Sequence, residues 1–256
     1  MKTTGALDML MYLRGSLKEL RLGLLVGGYG VEETPRGLGE VMCELERLRT
    51  LHVDFFVYYL ATINTLDAMM ALFFDSILAP GLVELAVRVP REPWGSFRPR
   101  QALLFVDFLG RSGCTLCSLH FYLAVEEGVV IKCLEEFGDD LVRLDLMDAG
   151  WPTVRTAGVD VVTTELLKRL EGGTDTSTGV YTAPLCPRLK DLVLLAFEPT
   201  TQAHIISLVK SRANVLRCEV QLAKVQTPNG IRLGAMYKAL EEAGIKVNWR
   251  FVSVSV

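Results

Sequence analysis

The phrase Leu-x-x-Leu-x-Leu, or a close apolar variant of it, recurs along this chain and restricts what the chain can fold into. Six clear copies and a frayed seventh are LKELRL from Leu17, LRTLHV from Leu48, LVELAV from Leu82, LCSLHF from Leu116, LVRLDL from Leu141, LKDLVL from Leu189 and VLRCEV from Val215. Leucine-rich repeats run at roughly 20–29 residues, and longer steps indicate insertions. The phrase therefore predicts a single leucine-rich-repeat domain over 1–256, with about 6–7 irregular repeats.

Stretches with helical spacing of apolar residues follow most copies of the phrase. They cover 66–78, 100–109, 126–137, 159–170, 202–210 and 231–243, and Gly244 ends the last one. Strands that alternate with helices predict a parallel sheet with right-handed crossovers. Because the strand phrases are alike, we expect an α/β solenoid, a horseshoe with parallel strands on its concave face and helices outside. The final IKVNWRFVSV predicts one more strand that closes the stack.

Three insertions interrupt the repeats. The glycine-rich stretch 23–39 and the stretch 171–187, rich in glycine, threonine and proline, are both predicted to be loops. The stretch 90–99 is a proline-broken loop that carries Trp94 and Phe97. Aromatic residues dominate interface hot spots, so these two either anchor a partner or fold back onto a helix.

Composition limits the compartment and the partners. The mean hydropathy is +0.31, but the most apolar stretch, 55–66, ends at Asp67 and is shorter than the ~18–20 residues that cross a bilayer. Asp8 interrupts what would be the apolar region of a signal peptide. Six scattered cysteines are typical of reduced thiols in the cytoplasm or nucleus. A net charge of −3 with interspersed signs predicts binding to neither nucleic acid nor a membrane.

Four segments carry a resemblance to a known family. CELERLRTLHV, PLCPRLKDLVL, LVKSRANVLRCEV and LGAMYKALEEAGIKVNW resemble the leucine-rich half of F-box proteins abundant in mushroom-forming fungi. The strand opening, helix and closing helix–strand of that family match 185–194, 205–212 and 240–249. The resemblance implies a receptor that selects substrates for ubiquitination. No F-box segment is found before Leu17, so it implies the substrate-recognition half, which reaches the ubiquitin-ligase adaptor only if an F-box lies upstream.

The concave face is the predicted binding surface. The leucines of each phrase point into the core, and the alternation of a strand turns the residues between and beside them outward. An apolar centre with a polar rim is typical of a protein interface. The candidate partner-binding residues are His52, Asp54, Arg88, His120, Tyr122, Arg143, Asp145, Met147, Val193 and Leu195. The alternative is an ordinary solvated sheet face.

Catalytic and metal sites have weaker signals. Cys114, Cys117 and His120 have ligand-like spacing, yet the register puts His120 on the concave face and Cys114 in the loop before it. His52 and His120 are expected about 10 Å apart, with one strand between them. Asp54 shares the face of His52, but no serine or cysteine completes a relay there. The glycines from Gly23 onward lack the ending of a phosphate loop.

We therefore expect no catalytic residue, metal or other cofactor, and a non-enzymatic module that recognises an unidentified protein. The alternatives are a free-standing leucine-rich-repeat scaffold without a ligase link, a decayed or truncated paralogue and, least favoured, an α/β enzyme. An enzyme of that last class would need a glycine loop at the carboxyl end of a strand.

Overall fold

The structure, a computed structural model, describes residues 9–26, 42–57, 63–88, 103–122, 127–147, 163–174, 181–195, 202–212, 215–224 and 238–251. Eight parallel strands form one sheet, and their order in the sheet is their order along the chain. These strands are β1 (Glu19–Val26), β2 (Thr50–Val57), β3 (Glu84–Arg88), β4 (Ser118–Tyr122), β5 (Arg143–Met147), β6 (Asp191–Leu195), β7 (Arg217–Lys224) and β8 (Lys246–Phe251). The predicted α/β class with a parallel sheet is confirmed, and so is the closing strand.

Five helices have bounds that can be given in full. They are α1 (Ile63–Asp75), α2 (Leu103–Ser112), α3 (Glu127–Phe137), α4 (Thr164–Glu171) and α5 (Gln202–Ser211). A further helical segment at 238–242 leads into Gly244, whose φ of 78° is the left-handed conformation expected of a residue that ends a helix. Within the described ranges, no helix combines the length and the apolar character that crossing a membrane requires.

The repeated phrase sets the register of the sheet. One row across it pairs Leu20, Leu51, Leu85, Leu119, Leu144, Leu192 and Cys218, and a second pairs Leu22, Val53, Val87, Phe121, Leu146, Leu194 and Val220. The seventh copy is therefore real, but its first residue departs from the pattern. Val215 is exposed, and Leu216 is buried instead. The buried residue that precedes β7 is therefore shifted by one position relative to the other copies, and the register within β7 is unchanged.

Both rows face a single hydrophobic core that also contains the inner sides of the helices. Phe74 of α1 lies near its centre, with its ring centroid 5.1 Å from that of Phe105 and 5.2 Å from that of Phe108. Phe105 of α2 in turn lies 5.5 Å from Phe121 of β4. Aromatic rings at these separations pack in tilted and edge-to-face pairs that stabilise beyond the area they bury.

The bounds of several predicted elements differ from those observed, and two of these differences have a clear structural reason. Helix α1 ends at Asp75, before the predicted end at residue 78, because Ile77–Leu78 pairs as a short parallel strand with Cys43–Glu44. The predicted glycine-rich loop begins too early, since β1 continues through Gly23 to Val26. The rest of that loop, and the whole of 90–99 with Trp94 and Phe97, lie outside the described residues.

The structure describes residues 171–174 and 181–187 of the predicted insertion at 171–187. Gly173–Thr174 and Tyr181–Thr182 pair antiparallel, and the turn that follows buries Leu185 and Cys186. Cys186 has a φ of 53°, a left-handed conformation that side chains other than glycine rarely adopt. Its backbone carbonyl accepts a hydrogen bond from the Nη2 of Arg212, 2.8 Å away. The insertion is thereby attached to the residue that follows α5.

Arg212, which follows α5, is bonded to backbone carbonyls of α4 and of the turn at 186–187. Its Nη2 also donates to Pro187 O at 3.0 Å, and its Nη1 donates to Leu170 O at 3.4 Å in the last turn of α4.

We expect Arg212→Ala to lower the free energy of unfolding by about 2–3 kcal/mol, since bonds from a charged donor to half-buried acceptors are lost. Urea denaturation measures the loss. The exposed pair of Arg188 with Asp140 supplies the control, because Arg188→Ala should cost at most about 1 kcal/mol. Equal losses in the two variants would contradict the role of Arg212.

Candidate functional site

The side of the sheet opposite the core carries most of the candidate residues, and we call it the polar face. Its described side chains are the apolar Leu25, Phe56, Ala86 and Val193 and the polar or charged Glu19, Arg21, Thr50, His52, Asp54, Glu84, Arg88, Ser118, His120, Tyr122, Arg143, Asp145, Asp191, Arg217, Glu219 and Lys246. They alternate with the buried residues along each strand, as the pleat requires.

Asp145 of β5 is the centre of the polar face. Only 2% of the residue is exposed, and both carboxylate oxygens are occupied. Oδ2 accepts from His120 Nδ1 and from the Tyr122 hydroxyl, each at 2.8 Å, and from Arg143 Nη2 at 3.1 Å. Oδ1 accepts from Arg143 Nε at 3.0 Å. Burial acts to raise the pKa of Asp145, but the bonds from His120, Arg143 and Tyr122 outweigh it and hold the pKa below its ordinary value. The carboxylate is therefore ionised at neutral pH.

His120 of β4 is held by both of its ring nitrogens. An ionised Asp145 can only accept, so Nδ1 carries a proton. In the neutral ring Nε2 is then an acceptor, and it lies 2.8 Å from Ser118 Oγ, which donates to it. The ring stacks on Tyr122 with a centroid separation of 6.0 Å. Burial, followed by the charge of Asp145, raises the pKa of Tyr122, so the phenol remains a donor.

His52 and Glu84 extend this network across two more strands. His52 Nε2 lies 2.7 Å from Glu84 Oε1, and the same oxygen lies 3.7 Å from His120 Nε2. The two imidazoles are in one row with Ala86 between them, as predicted. Their ring centroids are only 6.4 Å apart, however, against the predicted 10 Å. The prediction used the spacing of the strands, whereas the side chains lean towards the carboxylate between them.

Ion pairs continue across the face on both sides of the Asp145 network. Arg88 lies over the Tyr122 ring, 5.1 Å from its centroid, in a cation–π contact, and its Nε is 3.8 Å from Asp54 Oδ1. On the other side Arg217 Nε contacts Asp191 Oδ1 at 2.8 Å, and Lys246 Nζ contacts Glu219 Oε2 at 3.1 Å. Neighbouring strands thus present opposite charges in register, which fixes the long side chains in place.

The structure brings most of the predicted candidates together. His120, Tyr122, Arg143 and Asp145 form one hydrogen-bonded cluster, which Arg88 and His52 adjoin. Asp54 reaches it only through Arg88. The others lie on β5 and β6: half-buried Val193 pairs in register with Asp145, and Leu195 with Met147. The side chains of Met147 and Leu195 are outside the described part of the structure.

Two members of the network, Glu84 and Ser118, are absent from the predicted set. Each is the first residue of its strand, on the same face as the histidines. The alternation of residues along a strand places both on this face, and that alternation could have identified them from the sequence. Nothing in the order of residues shows that Ser118 bonds the histidine of its own strand, or that Glu84 reaches two imidazoles on neighbouring strands. Side-chain rotamers decide both contacts.

The cysteine–histidine spacing does not form a site. Cys114 belongs to the core, where burial raises its pKa to about 11, whereas His120 lies on the polar face. Burial raises the pKa of Cys133, Cys186 and Cys218 to about 12. All six cysteines are free thiols. No three histidine, cysteine or acidic side chains in the described ranges are arranged to hold a metal ion.

Comparisons of the chain with protein-family models, with characterised proteins and with solved structures give no match. The geometry of the polar face is therefore the feature of the molecule that bears most directly on its function.

Proposed function

We propose that this chain is a protein-recognition module whose strands stack as a leucine-rich-repeat solenoid, with the polar face as its concave binding surface. Three features support the solenoid: the strands follow chain order, they share one register, and their inner residues join one core with the helices. A stack of this kind presents an extended surface to a partner. Its free thiols favour the reducing cytoplasm or nucleus.

The observation that carries the proposal is the preorganisation of the polar face. Asp145 holds His120, Tyr122 and Arg143 in one arrangement, and the ion pairs on either side restrain Arg88 and Arg217. Long side chains that are already ordered lose little rotamer entropy when a partner binds. A preorganised surface of both charges therefore favours a partner protein that carries the complementary pattern.

Among the described side chains of the polar face, two large apolar ones are exposed, and both lie on its first two strands. Leu25 of β1 and Phe56 of β2 are 44% and 46% exposed and are neighbours in the sheet, since they pair with each other in register. Exposed aromatic and aliphatic side chains beside a charged surface are typical of interface anchors. We propose that a partner contacts these two side chains together with the charged rows.

Charge reversal tests the proposal. Arg88→Glu with Arg217→Glu alters two exposed side chains of the polar face, at 56% and 80% side-chain exposure. We expect the captured amount of each protein that binds the parent's polar face to fall by about tenfold or more, because the reversed charges then repel the partner. Quantitative mass spectrometry of captured proteins measures this, with circular dichroism to show that the fold is intact.

The matched control reverses two exposed lysines on helical segments, Lys132→Glu with Lys238→Glu. Partners of the polar face should be retained by this variant. If the helix variant loses the same proteins, or if no captured protein distinguishes the two variants, the binding surface is not the polar face.

The resemblance to fungal F-box proteins extends the proposal to a role in selecting substrates for ubiquitination. Mapping the 5′ end of the transcript tests that extension separately. An in-frame F-box segment upstream of Met1 supports it, and co-capture of the ligase adaptor is then expected. A transcript that starts at Met1 would leave a free-standing recognition scaffold.

A further inference from the structure

We propose that Ser118, His120 and Asp145 form an acyl-transfer relay on the polar face, in which Ser118 reacts with the carbonyl carbon of activated esters. Ser118 Oγ lies 2.8 Å from His120 Nε2, and His120 Nδ1 lies 2.8 Å from Asp145 Oδ2. A nucleophile bonded to a base that a third group orients is the arrangement on which serine hydrolysis depends. This inference is independent of the proposed binding function.

The protonation states suit the reaction. Asp145 is ionised and accepts from Nδ1, so in the Nδ1–H tautomer of His120 the Nε2 atom faces the Ser118 hydroxyl that it must deprotonate. The imidazolium that forms is stabilised by Asp145 and by Glu84, whose Oε1 lies 3.7 Å from Nε2. Arg143 also binds Asp145 and offsets part of that stabilisation.

A substrate can approach Ser118 from only one side of the sheet, while the groups that orient the base are buried. Asp145 and His120 are buried at 2% and 8% exposure, which keeps the base in one orientation. Ser118 is only partly buried and lies at the start of β4, on the face that is free of the core. A carbonyl group can therefore reach Oγ from the open side of the sheet.

The chemistry proceeds in two balanced steps. Ser118 Oγ bonds to the ester carbonyl carbon as its proton passes to His120 Nε2, and collapse of the tetrahedral adduct breaks the bond to the leaving alcohol, which takes that proton. Water then attacks the Ser118 ester, gives a proton to His120 and releases the acid. The proton returns to Ser118 Oγ, and the site is regenerated.

The surroundings of Ser118 limit the substrates. Its backbone N–H donates to Val83 O at 3.1 Å within the sheet, so it does not bind an oxyanion. The nearest cation in register is Arg143 on the adjacent strand. Losing one oxyanion donor typically costs about 10²–10³ in rate. Esters with good leaving groups, rather than amides, are therefore the class that this site can cleave.

The experiment uses the full chain with a fluorophosphonate probe and with p-nitrophenyl acetate. We expect one covalent adduct, located by mass spectrometry on the peptide that contains Ser118. Ser118→Ala should abolish it and lower ester hydrolysis by about 10²-fold, the lower end of what general-base catalysis contributes. Ser16→Ala removes an exposed serine that bonds only a backbone carbonyl, and it should change neither result.

An adduct spread over several serines, or hydrolysis unchanged in Ser118→Ala, would overturn the proposal. The contacts among Ser118, His120 and Asp145 would then be structural only. Absence of any adduct on the folded parent would overturn it as well. Because the adduct site is read on the parent chain, the test does not depend on how any variant folds.

Discussion

Leu144→Asp is expected to unfold the middle of the sheet rather than to disturb it locally. Leu144 is fully buried on β5 and pairs in register with Leu119 and Leu192. The change removes a core side chain, at about 2–5 kcal/mol, and adds a buried carboxylate that has no partner on that side. The sum approaches or exceeds the stability of an ordinary domain, so we expect little folded protein at room temperature.

Circular dichroism and urea denaturation measure this, and Leu25→Asp is the matched control. Leu25→Asp is the same substitution at an exposed position of the same sheet, so it should change the free energy of unfolding by at most about 0.5 kcal/mol. Since β5 pairs with β4 on one side and with β6 on the other, hydrogen exchange in partly folded Leu144→Asp protein should show these three strands losing protection together. Retention of parental stability would refute the register of the core rows.

Asp145→Ala is expected to have the second largest effect. It leaves the ring of His120, the hydroxyl of Tyr122 and the guanidinium of Arg143 without their common acceptor. Removing one partner of a buried ion pair costs about 3–5 kcal/mol. Urea denaturation at pH 7 measures it, and Asp54→Ala is the control, because Asp54 is half-exposed and its contact with Arg88 is long. The control should cost at most about 1 kcal/mol.

The effect of Asp145→Ala should depend on pH in a definite direction. The pKa of Asp145 is lower in the folded chain than its ordinary value of 3.8. The stabilisation is therefore complete above about pH 4–5 and is lost as the pH falls through the folded pKa. The difference between parent and variant should shrink below about pH 4. A difference that grew as the pH fell below about 4 would show that Asp145 is not held as a carboxylate.

Much of the fold was predictable because burial depends on local pattern. Leu-x-x-Leu-x-Leu specifies which side of each strand is apolar, and seven copies specify one register, so the rows from Leu20 to Cys218 could be written down in advance. Element ends were less predictable. Helix α1 ends at Asp75 because residues 77–78 find a strand partner at 43–44, about 30 residues away in the chain.

The candidate site was predictable as a surface but not as a network. Alternation alone puts His52, His120 and Asp145 on the polar face. It does not show that Asp145 is buried, since strand patterns treat each outward position as equally exposed. His120, Tyr122 and Arg143 cover it from two strands.

The sequence by itself determined the class of fold, the order of the strands and which residues face away from the core, because these depend on the period of apolar residues. Only the tertiary structure decided that Ser118 and Asp145 bond the two nitrogens of His120, and that Glu84 lies between two histidines. The Ser118–His120 bond lies within β4, whereas the other contacts join residues on separate strands. All of them depend on side-chain rotamers and on distances of about 3–4 Å, which no periodicity along the chain encodes.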